Sequence, residues 1–163
     1  MMSHSELCRL TAEKFVKSFA LYEVKGRREN PDVITWNSSG TSTVFEIKMS
    51  RSDFLADFKK KCRQDDRLKA GDFHAYVCYG NFIKKDEVPE DWGLFYFING
   101  RFRCIKKIPS FYTDEKPLKD WRNETVMLIN FLICNRYFDN CRFVFSRRFE
   151  NYKKITNGTW RSI

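Results

Sequence analysis

The chain predicts an α/β (α+β) fold, a mixed β-sheet flanked by helices in the order α-β-β-β-α-β, followed by a β-hairpin and a C-terminal helix. Three observations predict it. Apolar residues recur at three and four residues near both ends of the chain; three short strand-like runs lie between residues 21 and 48; and a helical segment separates the third run from a fully apolar fourth, the mark of a parallel crossover. A length of 163 residues fits one core and one domain.

Residues 3–19 form the first predicted helix. Leu7, Leu10, Thr11, Phe15 and Phe19 share its spacing, and Ser3-His4-Ser5-Glu6 can form a capping box. Leu21–Lys25, Asp32–Trp36 and Thr43–Lys48 read as a three-stranded meander, separated by the turn-rich Gly26–Pro31 and by Asn37–Gly40. A second helix starts at Ser50-Arg51-Ser52-Asp53, with Phe54, Leu55, Phe58 and Cys62 on its apolar face. Phe73–Tyr79 is an interior strand. Trp92–Ile98 and Arg101–Ile108 flank Asn99-Gly100, which favours a type I′ hairpin turn. After the Pro109–Pro117 loop, a third helix runs from Leu118 to about Tyr137, and residues from about 140 to 163 form a basic, aromatic C-terminal extension containing a strand-like Arg142–Phe145.

Composition narrows the function classes. Apolar residues at 42% and aromatics at 17% exclude a disordered chain, and Lys plus Arg exceed Asp plus Glu by 30 to 21, giving a net charge of +9 that suits a phosphate-rich partner. The longest apolar run, Val126–Cys134, is too short for a membrane helix and contains Asn130. The N-terminus lacks the features of a secretory signal. Six scattered cysteines form no CxxC pair, so they read as buried, reduced thiols of a cytoplasmic protein, with no structural zinc.

The chemistry concentrates in Pro31-Asp32 and Glu46-Ile47-Lys48. On a strand, Glu46 and Lys48 share one face while Phe45 and Ile47 enter the core on the other. If the meander closes, Asp32 lies opposite this pair. Two carboxylates with a backbone oxygen suit a hard divalent ion, Mg²⁺ or Mn²⁺. Such an ion polarises a phosphodiester and acidifies a bound water, while a lysine orients that water. Without the ion the carboxylates repel, so removing Asp32 or Glu46 is expected to leave the metal-free protein as stable or more stable.

These residues resemble the signature of the PD-(D/E)XK nuclease superfamily, whose fold is the restriction-endonuclease-like mixed sheet. The run Glu46–Asp57, with Gly71-Asp72 before a strand and Trp92-Gly93-Leu94 before the hairpin, is similar to a small phage and bacterial family related to MmcB-type DNA-repair nuclease-like proteins. The likeness spans about residues 3–108. It implies that Asp32, Glu46 and the Ile47 carbonyl hold the metal, that Lys48 is the catalytic lysine, and that a first-helix glutamate completes the site. Glu6 matches that position better than Glu13. Arg51 beside the site would meet a phosphate.

The expected function is therefore Mg²⁺-dependent hydrolysis of phosphodiester bonds in DNA, in repair or processing, with DNA favoured over RNA. Arg51, Lys59, Lys60, Lys61 and Arg63 are the expected nucleic-acid contacts. A catalytically silent nucleic-acid-binding module and a phage interaction protein on the same fold are the alternatives. A homodimer would supply the two sites a duplex cutter needs, although no coiled-coil seam marks one.

Overall fold

The structure, a computed structural model, describes residues 2–109, 119–137 and 143–145. The side chain of Cys134, residue Cys141 and the C-terminal extension, apart from a short strand, lie outside the described residues.

Helix α1 (His4–Phe15) leads into β1 (Phe19–Tyr22), β2 (Val33–Trp36) and β3 (Ser42–Lys48). Helices α2 (Arg51–Asp57) and α3 (Lys61–Gln64) then cross to β4 (Phe73–Tyr79). The hairpin β5 (Trp92–Ile98) and β6 (Arg101–Lys106), helix α4 (Trp121–Tyr137) and β7 (Phe143–Phe145) complete the order. The result is one seven-stranded sheet, β6-β5-β4-β3-β2-β1-β7. β1, β2 and β3 are antiparallel, β3, β4 and β5 are parallel, and β5–β6 is antiparallel again. The mixed α/β class and the parallel crossover expected from the sequence are both present.

Local chemistry explains the boundaries. Ser3 caps α1 by accepting the Glu6 N–H, and α1 ends at Phe15, four residues short of the predicted end, because Val16 turns extended and Phe19 pairs in β1. Asn99 and Gly100 both have positive φ, 52° and 73°, as the type I′ turn demands. The second predicted helix breaks in two: Leu55 and Phe58, expected on its apolar face, are exposed, while Phe54 and Cys62 are buried.

The alternation along β3 divides the core. Phe45 and Ile47 pack with Leu7, Cys8, Ala12 and Val33 beneath α1. The opposite face gathers Phe54, Tyr76, Cys78, Trp92 and Leu94. Met127 of α4 packs on Leu21, Ile34, Trp36 and Val44. Buried Glu124 tethers α4, accepting from Trp36 Nε1 at 3.0 Å, Ser42 Oγ at 3.1 Å and the Gly71 N–H at 3.0 Å. Of the described cysteines, Cys8, Cys62 and Cys78 are buried as expected, whereas Cys104 is exposed, and none of the four forms a disulfide.

His74 stacks on Trp92 with ring centroids 4.6 Å apart, and burial, reinforced by the positive charges of Arg63 and Lys69, pushes its pKa down to about 3. Its stability contribution is therefore fully present above the unfolded value of about 6.5 and is lost as pH falls through that window toward 3. In urea titrations between pH 6.5 and 4, His74→Gln should flatten the acid-side decline by about 1.4 kcal/mol per pH unit relative to wild type. Parallel curves for the two proteins would contradict this.

Candidate active site

The β2–β3 register pairs Val33 with Phe45, so Asp32, one residue before β2, lies level with Glu46. Asp32 Oδ2 accepts the Ile47 N–H at 2.8 Å, extending the ladder by a side-chain bond. Glu46 and Lys48 point to the face opposite Phe45 and Ile47, as period-two alternation requires, and both are buried.

That face holds a closed ionic network. Lys48 Nζ lies 3.0 Å from Asp57 Oδ1 and 3.3 Å from Glu46 Oε2. Lys60 Nζ lies 2.9 Å from Glu46 Oε2 and 2.7 Å from Asp57 Oδ1. Arg63 donates from Nε to Asp57 Oδ2 at 2.7 Å, pairs through Nη1 with Glu29 Oε1, and sets Nη2 3.0 Å from Glu46 Oε1 without hydrogen-bond alignment. Tyr76 Oη donates to Asp57 Oδ2 at 2.8 Å. Glu29, Glu46 and Asp57 thus face Lys48, Lys60 and Arg63, three charges against three.

The break after α2 makes this possible. In an unbroken helix, side chains six residues apart point about 120° away from one another. The turn at Phe58–Lys60 instead returns Arg63 to Asp57 at the end of α2. Burial opposes the Asp57 charge, but Arg63, Lys48 and Lys60 outweigh it and hold the carboxyl below its ordinary range. For Glu46 the balance is opposite: burial, aided by Asp32, raises the carboxyl despite Arg63, Lys48 and Lys60. Burial lowers Lys60 and Arg63, yet the surrounding carboxylates raise both above their usual values.

Several residues stand elsewhere than the sequence reading put them. Arg63, expected on nucleic acid, has a side chain only 6% exposed and faces Glu46 and Asp57; Lys60 stays 46% exposed but sets its Nζ against the same two carboxylates. Lys59 and Lys61 are exposed as expected of contact residues. Arg51 is exposed but engaged, pairing with both oxygens of Glu87 and donating to the Phe82 carbonyl. Glu6 is exposed and its backbone N–H meets Ser3; Glu13 pairs with Arg9. The α1 side chain that reaches Asp32 is His4, with Nε2 3.5 Å from Asp32 Oδ1. That hydrogen bond, opposed by burial, raises the His4 pKa above its ordinary 6.5. Ile47, whose carbonyl is the expected third metal ligand, donates its N–H to Asp32 Oδ2. The expectation of unrelieved carboxylate repulsion is also corrected: removing Glu46 takes away a partner of three cations and leaves them facing one another.

Glu29, Asp57 and Tyr76 escaped sequence reasoning. Asp57 sits four residues after Asp53 in a helix that otherwise reads as a solvated charged face, and Glu29 lies in a turn-rich linker, where an acidic residue carries no pattern.

No protein-family model matches the chain, and no curated protein matches it. Among solved structures, the chain resembles the SPO1766 protein of unknown function from Silicibacter pomeroyi, with a TM-score of 0.57, 17% identity and 99% of each chain covered. At that identity the likeness shows the fold alone. No helix among the described residues is long and apolar enough to cross a membrane.

Proposed function

We propose that the protein is a metal-dependent nuclease hydrolysing phosphodiester bonds in DNA, with Asp32 and Glu46 as metal ligands and Lys48 as the catalytic lysine. The single observation that carries this reading is the convergence of these three residues at neighbouring positions of central strands. The donor set fits a hard ion: both ligands are carboxylates, and buried Glu46 Oε1 accepts no hydrogen bond. Mg²⁺ or Mn²⁺ bound there would polarise the phosphate and lower the pKa of a bound water. Lys48, fixed by Asp57, would orient that water and offset developing negative charge. Lys60, whose side chain is 46% exposed, occupies the ammonium position against Glu46 and Asp57 and must swing outward when a metal enters.

Titration calorimetry with Mn²⁺ tests this assignment. Asp32→Asn should weaken binding at least about tenfold, and Lys60→Ala should tighten it by about tenfold, because a competing cation is gone. Unchanged affinity in both variants would remove the metal assignment. DNA cleavage in Mg²⁺ that Asp32→Asn abolishes is the functional counterpart.

One observation favours a silent nucleic-acid-binding module instead: Glu46 is fully buried and already faces three cations. In that case duplex binding depends on exposed cations such as Lys59 and Lys61, each phosphate contact contributing about −0.9 to the log–log salt slope, with no cleavage in any divalent ion. Lys59→Ala/Lys61→Ala should reduce the slope by about 2 under either reading if both lysines contact phosphate. An unchanged slope would place the binding face elsewhere.

A further inference from the structure

A second cluster lies on the other side of Asp32 and takes no part in the ionic network. His4 and Cys8, one turn apart on α1, place Nδ1 and Sγ 3.5 Å from each other. Glu23, just after β1, brings Oε1 to 3.7 Å from the same Nδ1. One donor atom from each of the three residues lies within 4.8 Å of the other two. Around a tetrahedral Zn²⁺ with ordinary bond lengths, nitrogen and sulfur ligands stand about 3.6 Å apart and nitrogen and oxygen ligands about 3.4 Å apart. Both imidazole contacts match that spacing.

The surroundings are those of a metal site as well. The other imidazole nitrogen, Nε2, faces Asp32 Oδ1, so an N–H there leaves Nδ1 with the lone pair a metal needs. Ser5 Oγ donates to Glu23 Oε1 at 2.6 Å and orients the carboxylate. Glu23 is held at φ 52°, a left-handed conformation unusual for its type, while its N–H donates to the Asp32 carbonyl at 2.8 Å.

We propose that His4 Nδ1, Cys8 Sγ and a Glu23 carboxylate oxygen form a binding site for a borderline-soft divalent transition-metal ion, Zn²⁺ by its donor set, with a fourth position open to water or substrate. Sulfur and imidazole together disfavour Mg²⁺. Binding releases the Cys8 thiol proton to solvent; thiolate and carboxylate then balance the ion, leaving the site electroneutral beside the buried core. Three protein ligands with one open position is the arrangement of reactive rather than purely structural zinc. The sequence rule misses this site because it looks for paired cysteines, whereas the cluster uses one. The inference does not depend on the phosphodiesterase reading, and the two sites call for different ions.

The test uses the full chain, reduced and stripped of metal, titrated with Co²⁺ as a spectroscopic probe and then with Zn²⁺. One equivalent of Co²⁺ should produce the thiolate charge-transfer band in the near ultraviolet together with visible bands of a four-coordinate ion, and Zn²⁺ should bleach both, while excess Mg²⁺ should not. Cys8→Ala should abolish the charge-transfer band, and His4→Ala and Glu23→Gln should each weaken Zn²⁺ binding at least about tenfold. Asp32→Asn, which keeps His4, Cys8 and Glu23 and replaces the carboxylate facing Nε2, should weaken it by about tenfold. Cys104→Ser, at an exposed thiol, should leave the band intact. Circular dichroism checks folding; should Cys8→Ala fail to fold, His4→Ala decides, since that side chain is 40% exposed. The proposal is overturned if no thiolate band saturates at one equivalent, if the band survives Cys8→Ala, or if folded His4→Ala binds Zn²⁺ as wild type does. In those cases the Cys8–His4 contact is only a thiol hydrogen bond.

Discussion

Arg63→Ala should cost about 3–5 kcal/mol of folding stability, a large part of the 5–15 kcal/mol typical of a domain. Among the described residues, Arg63 is the one side chain that touches Glu29, Asp57 and Glu46 together. Its removal leaves three buried carboxylates facing two lysines, and an uncompensated buried charge is far more costly than a lost surface pair. Arg63→Lys should recover only part of the loss, because an ammonium cannot reproduce a planar fork spanning three acceptors. Arg67 is the internal control: it pairs with Asp65 but has a side chain 78% exposed, so Arg67→Ala should leave the stability essentially unchanged. Urea denaturation at neutral pH gives all three values. Equal losses for Arg63→Ala and Arg67→Ala would mean the inner network contributes no more than a surface pair.

Lys48→Ala should separate chemistry from metal binding. The side chain is 2% exposed and held between Glu46 and Asp57, so in the proposed reaction it would meet the attacking water preorganised. Losing one such contact lowers turnover by about 10²-fold or more. No metal ligand is deleted, and Lys60 and Arg63 continue to neutralise the carboxylates, so Mn²⁺ affinity should hold or rise. A single-turnover assay beside Mn²⁺ calorimetry checks both halves. A parallel fall in affinity and rate would make Lys48 a structural member of the network.

The meander, the crossover and the Asn99-Gly100 hairpin were legible because period-two alternation and turn chemistry are local. The shared face of Glu46 and Lys48 followed from the same geometry. The fate of Lys60 and Arg63 did not, since it depends on a three-residue interruption at Phe58–Lys60 that no Gly or Pro announces. Their inward turn converts an apparent basic surface into the counter-ions of a buried acidic cluster. The resemblance pointed to a first-helix carboxylate, Glu6 rather than Glu13, and offered no reason to place His4 beside Asp32. The actual neighbour is set by where α1 begins: His4 is its first residue and meets Asp32, just before the start of β2.

Cleavage of a panel of linear duplex, single-stranded, nicked and branched DNA in Mg²⁺ and in Mn²⁺, wild type beside Lys48→Ala, decides whether the site is catalytic. Wild type should cut at least one substrate in a metal-dependent reaction that chelation stops and that the variant slows by about 10²-fold or more. Wild type that binds DNA but leaves the whole panel intact, or a Lys48→Ala protein that cuts as wild type does, would contradict the catalytic assignment and leave the binding-module reading in its place.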